Sequence, residues 1–151
     1  MMTRRANTWS EVATLGTKQE WYHDDNAWPL ELPFAFPFYG ETYTYIWISS
    51  NGNIFFSNDG TSNPRTSMVN EYARDESKFS NAKMMSVCWC DSASSADHPI
   101  YTLTESDRVV VRFDAARDNG GSIIKAAAEL KPDGTIILRY STDDSGGVNV
   151  D

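Results

Sequence analysis

A chain of 151 residues is the size of one domain, and such a domain can bury enough surface to fold without a disulfide framework. Its formal net charge of −8, with no basic run longer than Arg4-Arg5, argues against a nucleic-acid binder, because such proteins displace counterions with clustered lysine and arginine. The purely apolar runs are too short for membrane insertion, and an aromatic content of 13% favours strands, since flat rings pack well on a pleated surface.

Residues 1–27 are polar and read as an irregular segment or a first strand, carrying Trp9 and Trp21. No apolar run follows Met1 to Arg5, so no signal peptide is expected. Residues 28–151 read as the main β domain. From Pro29 to Phe38, three prolines forbid a helix interior and point to an edge strand. Leu30, Leu32, Phe34, Phe36 and Phe38 alternate, which buries one face. Tyr39-Gly40-Glu41 is a turn, Tyr43 to Ser49 a strand, and Ser50-Asn51-Gly52-Asn53 a tight hairpin turn returning into Ile54-Phe55-Phe56.

Asn58 to Lys83 is a long polar connection with room for a short helix near Met68 to Arg74. Met84 to Trp89 reads as a strand, and Asp91 to Asp97 as a loop. Ile100 to Thr104, Arg108 to Asp114, Ser122 to Leu130 and Thr135 to Tyr140 read as four antiparallel strands joined by short turns. Their apolar residues alternate with Arg112, Lys125, Glu129 and Arg139, which are expected to face water. Short strands at this spacing predict an all-β fold, an antiparallel β-sandwich of about eight to ten strands.

The run Leu32-Pro33-Phe34-Ala35-Phe36-Pro37-Phe38-Tyr39-Gly40, then Tyr43, then Ile48 to Phe56 with Ser50-Asn51-Gly52-Asn53 inside it, resembles the hallmark of nidogen-like domains and their bacterial and archaeal relatives. The later segments Met85 to Asp91, Val109 to Phe113 and Leu130 to Tyr140 match that pattern more loosely. The resemblance implies an extracellular β module used for adhesion, matrix assembly or as an accessory module on secreted enzymes, with no catalytic set to carry over. Relatives often have paired acids where this chain has Cys90-Asp91, and often continue into one more strand after the position of Tyr140.

Candidate chemistry is sparse. His23 and His98 are the only histidines and neither sits beside a recognisable nucleophile motif. Cys88, Cys90, His23 and His98 are the soft ligands for zinc, but Cys-x-Cys is a weak zinc signal. On a strand, Cys88 and Cys90 would share a face in a geometry that rarely closes a disulfide. For calcium, the oxygen-bearing loop residues are Asp24, Asp25, Asp91 and Asp97, with Asp143-Asp144 a further cluster. No other cofactor is expected. For ligand binding by ring stacking, Trp9, Trp21, Trp28 and Tyr72 are the candidates, whereas Trp47 alternates with Tyr43 and Tyr45 and is expected to pack inside.

The expected function is a non-enzymatic surface module for adhesion or structural assembly, extracellular, on a cell surface or in a virion. Its partner would be a protein or copies of itself, with no nucleic acid and no membrane insertion. The missing signal peptide and the short C-terminus favour assembly. A carbohydrate-binding accessory module of a secreted protein, with polysaccharide as partner, stays open, and a small hydrolase is the remote alternative.

Overall fold

The structure is a computed structural model that describes residues 9–64, 82–88, 90–117 and 123–141. A 3-10 turn, Trp9–Glu11, is followed by eleven strands: β1 Thr17–Lys18, β2 His23–Asp24, β3 Ala27–Phe38, β4 Glu41–Ser49, β5 Asn53–Ser57, β6 Met84–Ser86, β7 Ser92–Ser94, β8 Ile100–Glu105, β9 Arg108–Arg117, β10 Ile123–Leu130 and β11 Ile136–Tyr140. They form two antiparallel sheets. The larger runs β1-β8-β9-β10-β11, with β7 continuing the flank of β9 that β8 occupies and β2 added outside β7; the smaller runs β3-β4-β5-β6. This is the antiparallel sandwich that the strand spacing predicts. The count of eleven exceeds the expected range because the polar N-terminal stretch and the Asp91–Asp97 loop contribute the short strands β1, β2 and β7. No helix among the described residues is long and apolar enough to cross a membrane.

The core lies between the sheets. Leu32, Phe36, Tyr43, Ile46, Ile48, Ile54 and Phe56 of the smaller sheet meet Ile100, Val109, Val111, Phe113, Ile124, Ala126, Ala128 and Leu130 of the larger one. Period-two spacing places most of them on one face of each strand. The alternation is interrupted where β3 meets β4: Tyr43 and Ile46, three residues apart, both face the core. Leu32 to Ala35 bulge out of register between the pairs Glu31↔Tyr45 and Phe36↔Tyr43. Pro33 has no N–H to give the ladder, so it fits this gap.

Two turns explain their residues. At the β3–β4 hairpin Tyr39 and Gly40 both take positive φ, 46° and 81°, the two-residue turn whose twist matches the flanking strands. Between β4 and β5 the Gly52 N–H donates to the Ser49 carbonyl at 3.2 Å, and Gly52 sits at φ 77°. This is a tight turn, as its Asn-Gly pair predicts.

The outer face of the larger sheet overturns one expectation. Arg112, Glu129 and Arg139 are buried rather than facing water, and Lys125 is half-buried. The segment following Trp9 lies over them, packing Val12, Trp9 and Leu15 against Val110, Ala127 and Leu103. Arg139 pairs with Glu129 at 2.6 Å and Glu11 at 3.1 Å. Arg112 donates Nε to the Leu15 carbonyl at 3.1 Å and lies over the Tyr101 ring. Charges at alternate strand positions usually mean solvent, but a polar cover that supplies acceptors buries them as well. β6 ends at Ser86 rather than Trp89, and Val87, Cys88 and Cys90 follow on a bend. The helix expected near Met68 to Arg74 lies outside the described residues.

Candidate functional site

At one end of the sandwich the turn Ser50-Asn51-Gly52-Asn53 meets the segment 87–92 that carries the chain from β6 in the smaller sheet to β7 in the larger. The turn is fully buried. The Gly52 carbonyl accepts from the Val87 N–H at 2.9 Å and the Cys88 N–H at 3.2 Å. The Asn51 carbonyl accepts from the Cys90 N–H at 3.4 Å. Ser50 accepts from the Asn26 N–H through its hydroxyl, and its carbonyl accepts from the Ser92 hydroxyl at 2.7 Å. A turn that satisfies its neighbours' backbone groups in this way fastens one sheet to the other.

Asn51 links this junction to the acidic residues. Its Oδ1 accepts from the Ser92 N–H at 2.8 Å, and its Nδ2 donates to Asp25 Oδ1 at 2.8 Å. Asp25 itself sits at φ 46°, a conformation that aspartate tolerates better than most residues. Asp24, Asp25 and Asp91 then bring one carboxylate oxygen each to within 4.8 Å of one another. Asp24 is exposed and the other two are half-buried. Three of the four expected calcium-type residues thus converge, and Asp97 stands apart on the exposed turn closed by Ser95 and His98. A hard cation takes six to eight oxygens, so this donor set would leave several positions to water. Asp143 and Asp144 lie outside the described residues.

The indoles of Trp21 and Trp28 stack beside this region, centroids 5.6 Å apart and nearly parallel. Both are half-buried and pack on the core, while Trp9 packs within the N-terminal cover. The three candidate stacking residues are therefore only partly open to a ligand, because each covers apolar surface left by short strands. Tyr72 lies outside the described residues. Trp47 is buried as expected, its Nε1 donating to the Asp59 carbonyl at 2.8 Å. Sequence reasoning passed over the two most exposed large aromatics, Tyr39 at 94% and Tyr22 at 40%. The signal for Tyr39 was its place before Gly40 in a hairpin turn, where a side chain projects from the tip.

The remaining chemistry is dispersed. His23 is exposed with its Nδ1 against the Asp24 carbonyl, and His98 is half-buried in the turn beginning at Ser95. Among the described residues neither histidine joins Cys88 and Cys90 in a cluster of metal-ligating atoms. The Cys90 thiol contacts the Cys88 carbonyl at 2.8 Å. The Cys88 thiol is held well above its usual pKa, first by its contact with the Cys90 side chain and then by burial.

A family model described as NIDO related matches residues 1–146. The chain belongs to the NIDO-related family. The match takes in the N-terminal stretch as well as the Phe-Pro run and the Ser50–Asn53 turn. Neither the curated proteins nor the solved structures compared with the chain yielded a match. Membership of the NIDO-related family points to an extracellular module, and it places no catalytic residue on this chain.

Proposed function

We propose that this NIDO-related domain is a non-enzymatic surface module for adhesion or structural assembly, which associates with copies of itself or with another protein by strand addition at the edge of its larger sheet. The observation that carries this reading is the β11 flank. Among the described residues, β11 pairs with β10 alone. The hydrogen bonds from Lys131 N to Thr135 O and from Ser141 N to Lys125 O set the ladder's alternation. That alternation turns the N–H and C=O of Ile136 and Leu138 away from β10, toward the open side. On the other flank β1 pairs with Tyr101 and Thr102 of β8, and the Gln19 N–H donates to the Ile100 carbonyl at 2.9 Å, which leaves that side of β8 beyond Thr102 without a strand partner among the described residues. Such edges are templates for another strand.

The hallmark polar residues support the same reading, because Ser50 and Asn51 spend their hydrogen bonds on the fold and Asn53 Oδ1 accepts from the Ser86 hydroxyl. On this reading the Asp24, Asp25, Asp91 cluster serves as a calcium-dependent brace for the junction.

The test is the mass of the protein in solution across a dilution series, with and without calcium. A mass above the monomer that falls on dilution supports assembly. A monomer at every concentration, in both conditions, overturns self-association and leaves a foreign partner; retention on a polysaccharide column would then favour carbohydrate binding.

A further inference from the structure

The Cys88 and Cys90 pair is placed for a reaction that a strand would forbid. On a straight strand, residues two apart lie roughly 6.7 Å from each other with parallel Cβ vectors, while a disulfide needs Cβ atoms within about 4.5 Å. These two residues lie on a bend beyond the end of β6. The bend folds the Cys90 sulfur back to 2.8 Å from the Cys88 carbonyl, and the two thiols meet side chain to side chain. The Cys88 sulfur also packs closely on Gly52: a Cβ added there would stand 2.6 Å from it. Both residues are thiols, and they flank the carbonyl contacts by which the Ser50–Asn53 turn is held.

We propose that Cys88 and Cys90 are a modification site that closes an internal disulfide by exchange with a low-molecular-weight disulfide, and that this bond locks the bend joining the two sheets. Cys88 is the more accessible of the pair. Its thiolate attacks one sulfur of oxidised glutathione, forming a mixed disulfide and releasing one glutathione thiol. The Cys90 thiolate then attacks the Cys88 sulfur and displaces the second glutathione. The protein pair loses two electrons and two protons, and one glutathione disulfide becomes two thiols. Because the pair holds the Cys88 proton tightly, the rate rises as the solution is made more alkaline. The oxidising setting rests on the extracellular reading, but the bond is measured on the protein alone, so a monomer in the dilution series leaves it standing.

The full chain is reduced in denaturant, refolded in a mixture of reduced and oxidised glutathione, and then alkylated in denaturant before mass analysis, so that burial hides neither sulfur. The expected product is a monomer lighter by two hydrogens, carrying no alkyl group, with Cys88 and Cys90 joined in one peptide. Two alkylated cysteines, a glutathione adduct that persists on the unaltered chain, or a disulfide between chains would each overturn the proposal. Cys90→Ser is expected to stop at the glutathione adduct on Cys88. Amide exchange at Val87, Cys88 and Cys90 is expected to slow in the oxidised protein; equal exchange in both forms would rule out the lock.

Discussion

Asn51 shows how much one side chain can carry. Its Oδ1 and Nδ2 bond Ser92 and Asp25 from a fully buried position. Asn51→Ala leaves the Ser92 N–H without its acceptor in the interior, and a buried unsatisfied group costs about 1–3 kcal/mol. We expect a loss of about 2–4 kcal/mol in urea unfolding with the slope unchanged; a loss below about 0.5 kcal/mol would mean that water replaces the side chain. Gly52→Ala is expected to cost at least about 2 kcal/mol, since alanine resists positive φ and its methyl would meet the Cys88 carbonyl at 2.6 Å. Both residues stood out in the sequence as a turn. Their second role was not legible, because no local pattern records that the turn's acceptors serve a segment some 40 residues away. Three carboxylates, Glu41 and Asp133 exposed and Asp59 half-buried, add a pH dependence. Hydrogen bonds from Ser62 and Thr61 hold Asp59 below its ordinary value, the Thr135 hydroxyl does so for Asp133, and Lys83 followed by Tyr43 does so for Glu41. Folded values below unfolded ones mean stability that is whole above the unfolded values of 3.8 and 4.5 and is lost as pH falls through the folded ones. Melting temperatures taken from about pH 6 to about pH 2 should therefore decline on the acid side, and more shallowly for Asp59→Asn.

The strands differ in how plainly they were written. β8, β10 and β11 were legible to within a residue and β9 from its start, because Val109, Val111 and Phe113 alternate cleanly and Lys131-Pro132-Asp133-Gly134 closes its hairpin; β9 runs on past the expected Asp114 to Arg117. β1, β2 and β7 were not, since two or three polar residues hold no period and pair only because the larger sheet offers them an edge. The alternation of Arg112, Glu129 and Arg139 was read correctly as a face and wrongly as a wet one. The cover begins with a polar stretch whose few apolar residues, Trp9, Val12 and Leu15, show no strand or helix period. The Glu129–Arg139 pair beneath it has side chains only 4% and 6% exposed. Removing one partner strands a buried charge, so Glu129→Leu should destabilise by about 3–5 kcal/mol. The double change Glu129→Leu with Arg139→Met should recover most of that, since a buried pair replaced by apolar groups is often neutral. Thermal unfolding of the two variants side by side decides it. An equal loss in both would mean that the salt bridge to Glu11 is what fastens the cover.

For the whole molecule the governing quantity is charge. Each copy carries a net −8, so any contact between copies is made against repulsion. If copies associate along β11, the attraction comes from backbone hydrogen bonds and apolar contact, which salt leaves largely intact, while the repulsion is screened over about 10 Å at 0.1 M salt. Association should therefore tighten as sodium chloride is raised from about 0.02 M to about 0.2 M, the opposite of the behaviour of oppositely charged partners. Calcium at the same ionic strength should tighten it further only if the ion binds, and Asp24→Asn with Asp91→Asn should remove that extra effect alone. Ile136→Pro separates the edge from the charge. Ile136 is the first residue of β11 and its N–H points away from β10, so proline there removes a donor that the fold does not use. Ile136 also packs half-buried on the core, so the variant should melt somewhat below the parent while staying folded, and should remain monomeric at every salt concentration. If it still associates as the parent does, the copies meet through another surface, and the exposed Tyr39 tip is the next place to test.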